Sequence, residues 1–137
     1  MKGGIWRKLR FVVTDDDQDI RAFLKAVLEG QGHTVVEAAN RDEGMQAIAA
    51  EKPDLIILDV MMAGWQDGFE MARELKQDPE FKDTPILMLT GIEEQTGIRF
   101  KAAAGDPTWC PVDGFLAKPV QADALLEEVR RLLPAED

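Results

Sequence analysis

Residues 54–59 read Asp-Leu-Ile-Ile-Leu-Asp, with no polar residue among the apolar ones. A strand with one wet face alternates apolar and polar side chains. A run that does not alternate is covered on both faces, as in the middle of a parallel sheet with helices above and below. The rest of the chain fits that arrangement. Strand-like runs at 9–14 (LRFVVT), 34–38 (TVVEA), 84–90 (TPILMLT) and 113–118 (DGFLAK) are separated by helix-period patterns. The first pattern places Ile20, Phe23, Leu24, Val27 and Leu28 on one face, with Gly30 or Gly32 as its stop. A second helix over 41–51 turns Met45, Ile48 and Ala49 inward and ends at Pro53; a third over 67–77 buries Phe69, Ala72 and Leu75. The closing helix over 122–133 buries Leu125, Leu126, Val129, Leu132 and Leu133. Five strands alternating with helices predict an α/β fold, a five-stranded parallel sheet with helices on both faces.

At 137 residues the chain is long enough for one domain with a real core. No apolar stretch is long enough to span a bilayer. The cations near the start, Arg7, Lys8 and Arg10, lead into FVVT and then aspartates rather than a signal core, so the expected location is the cytoplasm. The single cysteine, Cys110, has no internal disulfide partner, and no cation or base is assembled around it. A net charge of −10 argues against nucleic-acid binding and suits a metal cation or a protein with a basic face.

Open α/β sheets bind ligands beyond the carboxyl ends of their strands. There the first strand ends in Asp15 and Asp16, the third in Asp59, the fourth in Thr90 and the fifth in Lys118. Crowded carboxylates do not all ionise cheaply unless a countercharge is supplied. A hard divalent cation supplies it, and Mg²⁺, which prefers oxygen ligands, needs only two or three carboxylates. Asp17 is placed to cap the first helix, leaving the other two to bind. A carboxylate at such a site, Asp59 here, can attack phosphorus and form an acyl phosphate. Mg²⁺ would then neutralise one phosphoryl oxygen, Lys118 a second, and the Thr90 hydroxyl would donate to a third.

The pieces VVTDDDQDIR, PDLIILDVMMAGWQDGFEMARELK, TPILMLTG and DGFLAKPV occur in this order over nearly the whole chain. Together they resemble the response-regulator receiver domains of two-component signalling. The resemblance implies a flavodoxin-like sheet of order 2-1-3-4-5, with the receiver domain over 9–134, an N-terminal extension over 1–8, a tail over 135–137 and no output domain. It implies that Asp15 and Asp16 are the acidic pair and Asp59 the phosphoacceptor. Thr90 becomes the switch hydroxyl, Lys118 the site lysine, the Met61 carbonyl a metal ligand, and the bond before Pro119 a cis peptide. Phe115 holds the aromatic switch position, where many relatives have tyrosine; this chain has no tyrosine. The implied donor is a phosphohistidine on a sensor histidine kinase or phosphotransfer protein. The implied output is a switched surface for another protein, on a monomer or a weak phosphorylation-dependent dimer. The receiver would catalyse its own phosphorylation and dephosphorylation rather than act on external substrates.

Two stretches depart from the family pattern. The loop after Asp59 has Ala63 where proline is usual, carries one extra residue, and holds Trp65, which can contact a partner or act as a lid. The stretch from Thr90 to Lys118 is several residues longer than usual and rich in glycine and proline, which predicts a short or frayed helix around Ile98 to Ala104 and a loop with Trp109 and Cys110. Dimerisation through that region is therefore in doubt, and Trp109 with Pro111 is an alternative docking surface. Two other readings compete with the phosphoacceptor. Asp15 and Asp17 have the spacing of a dehalogenase-like phosphatase, although the chain lacks length for its cap. A pseudo-receiver would keep the fold without phosphorylation.

Overall fold

The structure is a computed structural model that describes residues 8–59, 67–90 and 112–133. The strands are β1 (Arg10–Thr14), β2 (Thr34–Ala38), β3 (Leu55–Asp59), β4 (Ile86–Thr90) and β5 (Gly114–Ala117). Among the described residues the helices, numbered here in chain order, are α1 (Gln18–Gly30), α2 (Arg41–Glu51), α3 (Asp67–Gln77) and α4 (Ala122–Leu132). The expectations for the Met61 carbonyl, Ala63, Trp65, a helix at 98–104, Trp109 and Cys110 lie outside the described residues, as does most of the 1–8 extension.

All five strands are parallel in the order β2-β1-β3-β4-β5. Each strand divides its side chains between two cores. Val12, Ile56, Leu58, Ile86 and Met88 face α2 and α3, where they meet Ile48, Phe69, Met71 and Leu75. Phe11, Val13, Leu55, Ile57, Leu87 and Leu89 face α1 and α4, where they meet Leu24, Leu28, Leu125 and Val129. Every residue of β3 and β4 is buried, which is why neither strand alternates in sequence. Full burial of one such aliphatic side chain is worth about 1.5–3 kcal/mol, so these two strands contribute heavily to the core.

Local sequence sets the helix ends. Asp17 caps α1, its Oδ1 accepting from Asp19 N–H at 2.9 Å and Ile20 N–H at 3.4 Å. Asn40 caps α2 by accepting from Glu43 N–H at 2.9 Å, and Glu43 reaches back to Ala39 N–H at 2.9 Å. α2 stops where Lys52 turns left-handed, at φ 48°, before Pro53.

Two expected core residues are solvent-facing. Phe23 is 38% exposed, because it precedes the buried Leu24 and lies about 100° around the helix from it. Ala49 is exposed for the same reason, one step after buried Ile48; Gly44, four residues before Ile48, is the buried position instead. Leu126, Leu132 and Leu133 are half-buried at the margin of their core.

Candidate functional site

Strand periodicity sorts the candidate residues between the two faces of the sheet. Asp15 extends the β1 ladder by donating its N–H to Ala38 O at 3.1 Å, so it keeps the alternation of Phe11 and Val13. Asp59 keeps that of Leu55 and Ile57. Lys118 N–H donates to Thr90 O at 2.7 Å, so Lys118 follows Leu116. All three therefore stand on the α1–α4 side, at the carboxyl rim. Thr90 follows Ile86 and Met88 on the α2–α3 side and is fully buried. Phe115, paired with Met88 and half-buried, lies on that same side, one diagonal step from Thr90.

At the rim, one carboxylate oxygen each from Asp15, Asp16 and Asp59 come within 4.8 Å of one another. Asp15 is fully buried, Asp59 is 3% exposed, and Asp16 opens to solvent. The Lys118 ammonium bridges two of the three: it donates to Asp59 Oδ1 at 3.1 Å and lies 3.2 Å from Asp15 Oδ2. Burial alone would lower the Lys118 pKa; the Asp59 and Asp15 carboxylates outweigh it and hold the ammonium above its ordinary range. The Lys118–Pro119 peptide bond is cis.

The two oxygens of Asp15 differ. Oδ1 accepts the Asp17 N–H at 2.9 Å. Oδ2 is shielded from solvent and accepts no hydrogen bond, because Lys118 stands at ion-pair distance but off hydrogen-bonding geometry. Among the described residues the cluster has three carboxylates against one ammonium, and its donors are hard oxygens open to water on the Asp16 side. That set fits a small divalent cation that keeps part of its water shell. Asp17 is exposed and its Oδ1 holds the α1 cap, as expected from the sequence. The sequence reading singles out neither Arg21 nor Glu37, yet both brace the turn that carries Asp15.

Comparison with known proteins agrees with this geometry. The family described as the response regulator receiver domain matches residues 11–130. The transcriptional regulatory protein AfsQ1 of Streptomyces coelicolor is 33% identical over 122 residues, covering 89% of this chain and 50% of that protein. The chain thus spans about half the length of that relative. Protein PilH of Pseudomonas aeruginosa is 31% identical over 127 residues, covering 90% of this chain and 97% of PilH. The chemotaxis response regulator CheY4 of Vibrio cholerae superposes with a TM-score of 0.80 at 29% identity, covering 93% of this chain and 100% of that one. A parallel sheet in the order 2-1-3-4-5 that gathers three carboxylates at its carboxyl rim, together with a family match over most of its length, makes this chain a member of the response regulator receiver family, the phosphoryl-accepting partners of histidine kinases in two-component signalling.

Proposed function

We propose that Asp59 is the phosphoacceptor, that Asp15 and Asp16 with Asp59 hold Mg²⁺, and that Lys118, Thr90 and Phe115 read the modification. The observation that carries this is the rim itself: three converging carboxylates with one ammonium on two of them. An Asp59 oxygen attacks the phosphorus of a phosphohistidine, from a sensor kinase or a phosphotransfer protein. The O–P bond forms as the P–N bond breaks, and the imidazole leaves with the electron pair. Bound Mg²⁺ would neutralise charge on a phosphoryl oxygen. Lys118, already within 3.1 Å of Asp59, pairs with a second oxygen. The Thr90 hydroxyl turns toward a third, and the space it leaves is filled by Phe115 from the same face of the sheet. Phenylalanine has no hydroxyl to pair at the surface, so packing alone governs this switch. The proposed readout is altered affinity for a protein target. The proposed setting is the cytoplasm.

Intact-mass analysis after incubation with acetyl phosphate and Mg²⁺ tests the reading. Wild type should gain one phosphoryl group, and Asp59→Asn or prior EDTA should abolish the gain. An adduct surviving in Asp59→Asn would move the nucleophile elsewhere. No adduct with acetyl phosphate or with a phosphorylated kinase would leave a pseudo-receiver.

A further inference from the structure

We propose that Arg21, braced by Glu37, is a positioning residue for the cation site and acts through the main chain of Asp15. The inference rests on the metal reading above and concerns residues that reading does not use. Arg21 lies one turn into α1, and its Nη1 donates to the carbonyl oxygen of Asp15. Its Nε donates to Glu37 Oε1 at 3.2 Å. The side chain is only 15% exposed. Glu37 belongs to β2, in register with Val13 of β1. One guanidinium therefore ties α1, β2 and the first residue beyond β1 together. Its donors form a rigid fork, so the Glu37 contact fixes the direction of the Asp15 contact.

Counting what holds Asp15 shows why this bears on the ion. Its N–H is bound to Ala38 O, its carbonyl oxygen to Arg21, and its Oδ1 to the Asp17 N–H. With those three fixed, Oδ2 is aimed at the space shared with Asp59 and Lys118, buried and without a hydrogen bond. Of these three bonds, only the one from Arg21 is made by the side chain of another residue. Its positive charge would by itself repel a divalent cation, and Glu37 cancels it at contact distance.

Charge and positioning predict opposite signs, which makes the proposal testable. Mg²⁺ affinity is measured by titration calorimetry on the unphosphorylated chain, well below the melting temperature of each variant. Arg21→Met should weaken Mg²⁺ binding about tenfold, the scale seen when a group supporting a metal ligand is lost. Affinity equal to or tighter than wild type would overturn the proposal, since removing a nearby cation would then be all that matters. Arg21→Lys keeps the charge but loses the fork; it should bind as weakly as Arg21→Met, and wild-type affinity in it would also overturn the proposal. Should Arg21→Met not fold, the lysine variant carries the test. Glu37→Gln should weaken binding in the wild-type background and have less effect once Arg21 is gone; equal effects in both would remove Glu37. A lower melting temperature with unchanged Mg²⁺ affinity would mark Arg21 as merely structural. Wild type that takes up no Mg²⁺ and matches Asp15→Asn would instead sink the metal reading and this inference with it.

Discussion

Asp15, Asp16 and Asp17 are consecutive, yet each does something different: one is buried and aimed inward, one joins the cluster from the solvent side, and one caps a helix. The backbone separates them, because a strand is ending as a helix begins. His33 is a second residue whose surroundings decide its chemistry. It is 6% exposed, and its Nδ1 accepts the Leu9 N–H at 3.2 Å, which assigns the neutral form with its proton on Nε2. Burial holds its pKa below the ordinary 6.5, with Asp54 pulling the other way. The unfolded chain takes a proton near the ordinary value while the folded chain resists it, so in that window the unfolded state binds more protons. The stability this supplies is complete above about 6.5 and is lost as the pH falls below it. Urea unfolding at about pH 7.5 and about pH 5.5 should show a larger loss in wild type than in His33→Asn, whose amide oxygen accepts without titrating. Equal losses would assign the acid sensitivity to other groups. The positions of the aspartates, Thr90 and Lys118 were legible in the sequence because strand ends locate them. Arg21 was not, because it acts on a carbonyl oxygen that every residue possesses.

At the scale of elements, α2 packs tightly on β1 at Gly44. A Cβ there would meet Thr14 Oγ1 at 2.6 Å, Thr14 Cγ2 at 2.9 Å and Met71 Cε at 3.1 Å. Alanine would favour the helix by about 1 kcal/mol, but forcing α2 away from β1 costs about 1–3 kcal/mol. Gly44→Ala should therefore lower the unfolding free energy, by up to about 2 kcal/mol. Thr14→Ala in that background should restore most of the loss, since it removes both contacting Thr14 atoms and a buried hydroxyl that makes no hydrogen bond. A double-mutant cycle in denaturant checks this; additive losses would mean the two residues do not meet. Element type was readable wherever burial was complete, as in β3 and β4. Face assignment failed at its margins. Phe23 and Ala49 each adjoin a truly buried residue, and an apolar side chain next to the stripe looks the same in sequence as one within it. Phe23 instead lines a concavity with Asp19, Ile20, Lys118, Pro119 and Val120, beside the acidic rim.

For the molecule as a whole, alternating strands and helices predicted the layers, but strand order came only from the family resemblance. Nothing in an apolar pattern says that β1 lies between β2 and β3. The same layout concentrates negative charge on one rim of a chain whose net charge is already −10. General salt screening and a specific ion should both stabilise such a protein, and they can be separated. At a concentration of 100 Kd, a cation that binds only the folded state adds about 2.7 kcal/mol. For a domain of this size that raises the melting temperature by roughly 10 °C. KCl at matched ionic strength screens the same net charge without filling the site, so it should raise the temperature by much less. Asp16→Asn is the informative variant, because Asp16 is exposed and its loss leaves the core untouched. The KCl increment should persist in it and the Mg²⁺ increment should largely vanish. If Mg²⁺ and KCl act alike in wild type, the folded chain gains only from screening and the three carboxylates hold no ion. If the Mg²⁺ increment survives in Asp16→Asn, the ion is held without the solvent-facing carboxylate, and Asp15 and Asp59 alone define the site.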